Sequence, residues 1–219
     1  GVYINGGNFT LNAGSITENE SVDGGGVYLN NGNFKLVNGE ISKNTVTGNG
    51  GGVYLIGENC IYKLKNGSIY ENIAENGGGV YLANGSFILA DSQEDQGSIS
   101  KNTAHGYGGG VYIAGEGDFT MNGGTGEENV TSGEDGGGIY LDGGNFILNE
   151  GYIKNNSAYS SGGGVYLFGG RFLMEDGVIS GNVSRSNGGG ACIGNNGDFV
   201  MNDGDITGNG KISEDNVLT

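Results

Sequence analysis

Short stretches of alternating apolar and polar residues run along the whole chain. In the first unit, Val-Tyr-Ile at residues 2–4 is followed by a turn rich in Gly and Asn, then by Phe-Thr-Leu at residues 9–11 and Ser-Ile-Thr at residues 15–17. Such alternation is the period of a β-strand, whose successive side chains point to opposite faces. No helical spacing of apolar residues extends beyond one turn. The pattern therefore predicts an all-β chain.

This unit restarts along the chain with the motif Gly-Gly-Gly-Val-Tyr-Leu. The valine position of the motif is occupied by Val2, Val27, Val53, Val80, Val111, Ile139, Val165 and Ala191. Repeated units as long as the spacing between these positions, each too small to bury its own apolar face, are typical of stacked solenoids. We predict a single-domain right-handed parallel β-helix (a solenoid) over residues 1–219, with about eight coils and three short strands per coil.

Stacking the units in register places equivalent side chains on top of one another. The predicted interior aromatic column comprises Phe9, Phe34, Tyr62, Phe87, Phe119, Phe146, Phe172 and Phe199. A second, aliphatic column comprises Ile16, Ile41, Ile69, Ile99, Ile153, Ile179 and Ile206, and is interrupted at Gly126. About five inward side chains per coil, each contributing roughly 1.5–3 kcal/mol, cannot offset an ordering cost of about 1–2 kcal/mol per residue in an isolated coil. Neighbouring coils must stabilise one another.

An asparagine recurs three residues after the aliphatic position in every unit. The set is Asn19, Asn44, Asn72, Asn102, Asn129, Asn156, Asn182 and Asn209. We predict a turn ladder in which these amides hydrogen-bond to one another and to the turn backbone, with the asparagines themselves tolerating left-handed φ. Ligand binding by the amides is the alternative, and the recurrence in all eight units favours the structural role.

The amino-acid composition excludes several classes of structure and function. Gly accounts for 51 of 219 residues and Pro is absent, but 35% of the residues are apolar, which excludes a flexible linker and collagen. The formal net charge of −16 opposes binding to nucleic acid or to an anionic membrane surface. No apolar run is long enough to insert this segment into a membrane. Cys60 and Cys192 lie five units apart, roughly 24 Å at the strand spacing, so no disulfide between them is expected.

The many carboxylates raise the hypothesis of a calcium site. The acidic candidates lie in two neighbouring units: Glu127, Glu128, Glu134, Asp135, Asp142 and Glu150. The calcium-binding nonapeptide of β-rolls is missing, and residues 115–118 match it only in part. A solvated acidic edge is the favoured interpretation, and we assign no metal ligand and no cofactor.

Catalysis on an acidic glycan would need paired carboxylates, or calcium with a basic group, at one place along the solenoid. The chain offers two arginines, Arg171 and Arg185, and one histidine, His105, which lies in a turn. Arg171 falls between Asn145 and Asp198 on the neighbouring coils, where a surface ion pair is expected. Without an acid–base constellation we assign no catalytic residue and predict that the protein is not an enzyme.

The tyrosine of the repeated motif falls on the outward side of the first strand. The series is Tyr3, Tyr28, Tyr54, Tyr81, Tyr112, Tyr140 and Tyr166, with Cys192 in the last unit. Exposed rings about 4.8 Å apart would form an unusual amount of apolar surface. They could simply stack and stabilise the sheet, or provide a platform for sugar rings, a partner protein or a second copy of the chain. The tyrosines are our candidate contact face.

The combination of Gly-Gly-Val-Tyr with Phe-x-x-Asn resembles known repeats. The second element occurs at residues 9–12, 119–122, 146–149 and 199–202. The pair is similar to the repeats of polymorphic outer-membrane proteins, and still more to the glycine-rich β-helix repeats of bacterial adhesin-like surface proteins. The resemblance implies a secreted or surface-displayed passenger, stalk or adhesin.

We therefore expect a non-enzymatic, extracellular or cell-surface β-helix module that presents a repetitive surface to a host or cell-surface protein or glycan. One alternative is a carbohydrate-active or glycan-binding β-helix. Another is a self-assembling surface fibre with end-to-end or side-by-side contacts between copies, because open solenoid ends expose strand edges.

Three local features complete the expectations. The fourth unit carries an insertion, residues 92–96, which is predicted to be a solvated loop. The chain begins inside a motif, which suggests a piece of a longer protein. Residues 210–219 are the candidate cap of the last coil.

Overall fold

The fold is a parallel β-solenoid of about eight turns. The computed structural model describes residues 1–212, except for the side chain of residue 195, and this range contains strands and no helix. We number the coils one to eight from the motif valine positions, which pair directly from Val2 and Val27 through to Val165 and Ala191. The predicted register of the repeat is confirmed.

The first and second strand segments of a coil run together in most coils. Continuous strands span Val2–Leu11, Val27–Leu36, Val165–Met174 and Ala191–Met201. In coils three and four the segments are separate strands: Val53–Leu55, Ile61–Leu64, Val80–Leu82 and Ser86–Leu89. In coils five and six the strand also includes the third segment: Val111–Glu127 and Ile139–Lys154.

The third segment is a separate three-residue strand in the other coils. These strands are Ser15–Thr17, Glu40–Ser42, Ser68–Tyr70, Ser98–Ser100, Val178–Ser180 and Asp205–Thr207. All three segments belong to one 16-stranded sheet that wraps around the core. Equivalent residues therefore lie directly above one another on each face.

A second sheet closes each coil within the stretch predicted as a longer turn. Its eight two-residue strands are Glu20–Ser21, Thr45–Val46, Ile73–Ala74, Thr103–Ala104, Val130–Thr131, Ser157–Ala158, Val183–Ser184 and Gly210–Lys211. The second residue of each strand from coil two to coil seven is small or β-branched and buried, as Val46 and Ala74 illustrate. These strands add a fourth side to the coil.

The interior contains the predicted columns. In coil two the five expected inward residues are fully buried: Val27, Leu29, Phe34, Leu36 and Ile41. Neighbouring rings of the aromatic column lie 4.6–5.4 Å apart, centroid to centroid. Only in the first and last coils are the columns partly exposed, because a neighbouring coil covers them on one side alone.

The asparagine ladder is confirmed over all eight coils. In the first seven coils, the side-chain amide Nδ2 donates to Oδ1 of the asparagine in the next coil at 2.8–3.0 Å. The same Oδ1 also accepts the backbone N–H of the asparagine in the preceding coil. In seven coils Nδ2 also donates to a backbone carbonyl of the previous coil, as from Asn102 to Ile69. The buried amides are thereby satisfied, which removes the cost of burying them.

The left-handed residue of this turn is not the asparagine, as the sequence had suggested, but the residue before it. Its φ is between 54° and 65° in all eight coils. The residues are Glu18, Lys43, Glu71, Lys101, Glu128, Asn155, Gly181 and Gly208. This conformation turns the asparagine side chain inward, where it can join the ladder.

The glycine corner is required by close packing as well as by conformation. Gly50 has a φ of 67°, which glycine adopts without a steric penalty. A Cβ on Gly52 would lie 2.7 Å from both the Gly79 carbonyl oxygen and Ile69 Cγ2. Only a residue without a side chain lets neighbouring coils approach this closely.

The aliphatic column is broken at Gly126, as predicted. Gly126 pairs with Ile99 on one side and Ile153 on the other, and a Cβ there would meet no heavy atom within 4 Å. A small apolar space of about 10 Å³ remains beside it. At the same level the aromatic column changes orientation, because Phe87 and Phe119 meet edge to face at 73°.

The insertion in coil four is exposed except at Asp95, so the prediction of a solvated loop is wrong for that residue. Asp95 is 5% exposed; its carboxylate accepts the backbone N–H of Asp91 at 3.1 Å and lies 3.6 Å from Lys65 Nζ. Asp91 pairs with Lys63 and Lys35 on the preceding coils. The loop is thus held against the side of the solenoid.

Of the candidate cap, Gly210–Lys211 is a strand and residues 213–219 lie outside the described residues.

Candidate binding surface

The tyrosine column lies on the outer side of the first strand. We use this name for Tyr3, Tyr28, Tyr54, Tyr81, Tyr112, Tyr140 and Tyr166. Neighbouring rings are 4.8–5.4 Å apart, centroid to centroid. The rings are tilted by 37–57° from Tyr3 to Tyr81 and stacked within 24° from Tyr81 to Tyr166. The first half of the column therefore presents part of the ring faces, and the second half presents ring edges.

Exposure varies along the column. Tyr3 is 63% exposed, and Tyr28, Tyr54 and Tyr81 are half-buried. Tyr112 and Tyr140 are buried, at 9% and 6% exposure. A continuous row of exposed rings is therefore wrong for these two tyrosines, although the column itself is present.

Tyr107 causes the burial of the two central rings. Its ring lies 4.6 Å from that of Tyr140 and 6.5 Å from that of Tyr112. Tyr107 lies directly before the glycine corner of its coil. The equivalent residues of the two preceding corners are Asn49 and Asn76, whose side chains form hydrogen bonds between coils. Sequence reasoning missed this contact, although Tyr107 is the only aromatic residue at that position in coils one to seven.

Carboxylates flank the column on both sides. Asp142 Oδ2 accepts the hydroxyl hydrogen of Tyr112 at 3.0 Å. On the other side lies Asp23, directly before Gly24 in the chain. Gly24 is close to the column, since a Cβ added to it would lie 2.9 Å from Tyr28 Cβ. Asp135 lies directly before Gly136, whose added Cβ would lie 2.7 Å from Tyr140 Cβ. The column thus has one carboxylate, Asp142, on one side and two, Asp23 and Asp135, on the other.

Burial and these carboxylates together raise the pKa of the six tyrosines of the column from Tyr28 to Tyr166. Burial, followed by the charge of Asp23, raises the pKa of Tyr54 to about 12. Burial raises the pKa of Tyr112 further, and Asp142 adds to this effect through its charge and its hydrogen bond. Burial is also the main cause of the raised pKa of the Cys192 thiol, to which Asp135 adds.

A groove runs along the outer side of the second strand segment. Its volume is about 400 Å³ in coils four to seven. The outward residue is Lys63 in coil three, and Ile88, Thr120, Ile147 and Leu173 in coils four to seven, so the floor of the groove is mostly apolar. Asp118, Asn145 and Arg171 contribute polar groups. Sequence reasoning missed this groove, although the change from Lys to apolar residues at this position is visible in the repeat.

The basic candidates are placed as expected on the surface. Arg171 Nε lies 3.5 Å from Asp198 Oδ2, which confirms the predicted ion pair. His105 is exposed, and its Nδ1 lies 3.2 Å from Ser132 Oγ. Cys60 and Cys192 are both free.

The acidic candidates for a metal site are dispersed. Glu127 pairs with Lys154 at 3.1 Å and Glu128 with Lys101 at 3.7 Å. In residues 1–212, no three His, Cys, Asp or Glu side chains are grouped so that they could hold a metal ion.

Within residues 1–212, no helix is long and apolar enough to cross a membrane.

No protein-family model, curated protein or solved structure matches the chain.

Proposed function

We propose that this chain is a non-enzymatic solenoid module of an extracellular or cell-surface protein, and that it binds a partner through the tyrosine column. The observation that carries the proposal is the placement of seven tyrosines on one outer side, of which Tyr3, Tyr28, Tyr54, Tyr81 and Tyr166 remain accessible. Tyrosine provides a large, rigid contact area with a polar tip, and it is enriched at binding interfaces.

The arrangement of the rest of the molecule supports a scaffold role. The core and the asparagine ladder account for the inward positions, and the glycines account for the corner. The motif resemblance to adhesin-like repeats favours a passenger or stalk on a surface protein. The outward tyrosine is the one position of the motif that packing inside the coil does not require.

The proposal is tested by substituting two accessible rings. We expect Tyr54→Ser combined with Tyr81→Ser to weaken binding to any ligand found on a panel of extracellular proteins, glycans and peptides by about tenfold or more. The matched control removes two exposed tyrosines outside the column, Tyr152 and Tyr159, by the same substitution. Circular dichroism verifies that each variant remains folded. Equal binding by wild type and the column variant would contradict the proposal.

Glycan binding in the groove of the second segment is the second candidate. Its volume lies in the range of small-molecule sites, about 300–1,000 Å³. The apolar floor can contact sugar rings, while Asn145 and Arg171 can hydrogen-bond hydroxyl groups. We expect Asn145→Ala to reduce glycan-array binding if the groove is used; binding that depends on Tyr54 and not on Asn145 would assign the ligand to the tyrosine column.

A further inference from the structure

We propose that the partner of the tyrosine column is an extended polypeptide segment rich in Lys or Arg. This inference rests on the proposed function, because it names the chemistry of the ligand for the same surface. It is drawn from the charges beside the column, the tilt of its rings and its length along the solenoid.

The carboxylates beside the column lack basic partners. Six ion pairs are formed among residues 1–212, and none of them uses Asp23, Asp135 or Asp142. Asp91 and Asp95, in contrast, are neutralised by lysines on neighbouring coils. Asp142 is exposed, and Asp23 and Asp135 are partly exposed. The strip along the column therefore attracts positive charge.

The rings can contact cations directly. From Tyr3 to Tyr81 the tilt of 37–57° leaves part of each face uncovered by its neighbour. A Lys or Arg side chain over such a face gains a cation–π interaction. The chain already makes this contact elsewhere, since the Arg185 guanidinium lies 5.0 Å from the ring centre of Tyr159 and Lys154 Nζ lies 5.8 Å from that of Tyr152. In the column the equivalent cation would come from the partner.

The length of the surface favours a peptide over a small cation. Tyr3 to Tyr81 covers four coils, roughly 14 Å at a strand spacing of about 4.8 Å. In an extended peptide, alternate side chains lie on one face about 6.8 Å apart. Two or three basic side chains of one segment therefore reach the rings together, with Asp23 beside them, and the same segment continued along the solenoid reaches Asp142 beside Tyr112. The net charge of −16 would also accelerate the approach of a basic partner.

The direct test is a titration with a labelled peptide of five Lys-Ser repeats, measured by fluorescence anisotropy at several salt concentrations. We expect saturable binding that weakens as salt rises, and no binding of a Glu-Ser peptide of the same length. Combined Asp23→Asn and Asp142→Asn substitutions, which keep the hydrogen-bond acceptors, should weaken binding by about tenfold.

The control removes the same net charge elsewhere. Combined Glu58→Gln and Glu94→Gln substitutions change exposed carboxylates outside the column and should alter the affinity by less than about twofold. An equal loss in both double variants would overturn the proposal, because binding would then follow net charge alone. Unchanged binding in the Asp23 and Asp142 variant would also overturn it.

Two further comparisons distinguish a wrong partner from a wrong binding surface. Spermine that binds as tightly as the peptide would overturn the assignment to a polypeptide segment. If the Lys-Ser peptide does not bind while the Tyr54 and Tyr81 variant still loses another ligand from the panel, the basic partner is wrong and the binding surface stands. If that variant retains every ligand, including the peptide, the tyrosine column itself is wrong as the binding surface.

Discussion

Gly126→Ala should stabilise the protein, because Gly126 is the one gap in the aliphatic column. Its φ is not left-handed, so alanine introduces no backbone strain. The new Cβ meets no heavy atom within 4 Å and points into a space lined by apolar side chains such as Ile99, Phe119 and Ile153. The substitution adds one buried methyl group where a space already exists.

The magnitude follows from two contributions. Replacing glycine within a strand removes an entropic cost of about 0.5–1 kcal/mol. One buried methyl group adds about 0.8 kcal/mol. We therefore expect Gly126→Ala to raise the free energy of unfolding by about 1–2 kcal/mol.

Urea denaturation followed by circular dichroism measures the effect as a higher midpoint at unchanged slope. The matched control is Gly52→Ala, which should destabilise the protein because its Cβ would lie 2.7 Å from the Gly79 carbonyl oxygen and Ile69 Cγ2. A lower midpoint for Gly126→Ala would refute the assignment of unfilled space beside Gly126.

Three further predictions concern the ladder, the core and pH. Asn102→Ala should lower the free energy of unfolding by about 2–6 kcal/mol, because it leaves two buried donors of Asn72 without acceptors at about 1–3 kcal/mol each. Tyr62→Phe should raise it by about 1–3 kcal/mol, because the Tyr62 hydroxyl is buried without a hydrogen-bond partner between the rings of Phe34 and Phe87. Denaturation curves measure both. The contribution of Tyr54 to stability should be complete below pH 10 and be lost between pH 10 and about 12, because the unfolded chain loses the Tyr54 proton at the ordinary pKa of 10.0 while the folded column keeps it to a pKa of about 12. Ultraviolet titration of tyrosinate in folded and unfolded protein measures this difference.

Each of these has a contradicting result. An Asn102→Ala variant as stable as wild type would show that the ladder amides exchange their hydrogen bonds for water at no cost. A Tyr62→Phe variant that is less stable would mean that the hydroxyl has a partner. Identical tyrosine titrations in folded and unfolded protein would contradict the burial of the column.

The repeat made most of the architecture predictable. The valine, phenylalanine, isoleucine and asparagine positions recur in every or nearly every coil, and parallel stacking in register converts each recurrence into a column. Gly126 could be recognised as a gap for the same reason. Regular spacing thus determined the core and the ladder without any knowledge of the turns.

Features without a recurring residue type escaped prediction. The left-handed residue before the ladder asparagine is Glu, Lys, Asn or Gly in different coils, so no pattern marks it. The two-residue strands are too short to show alternation. The burial of Tyr112 and Tyr140 depends on Tyr107, a single residue in a loop of one coil. The asymmetry of the binding surface therefore arises from departures from the repeat.

The accessible half of the tyrosine column should bind a basic partner, and nuclear magnetic resonance of ring-labelled tyrosine can observe this contact residue by residue. Titration with the Lys-Ser peptide should shift the ring signals of Tyr28, Tyr54 and Tyr81, assigned through single Tyr→Phe variants. The signals of buried Tyr62 and of exposed Tyr152 should stay in place. Saturating peptide that leaves Tyr28, Tyr54 and Tyr81 unshifted, or that shifts Tyr152 instead, would contradict the claim.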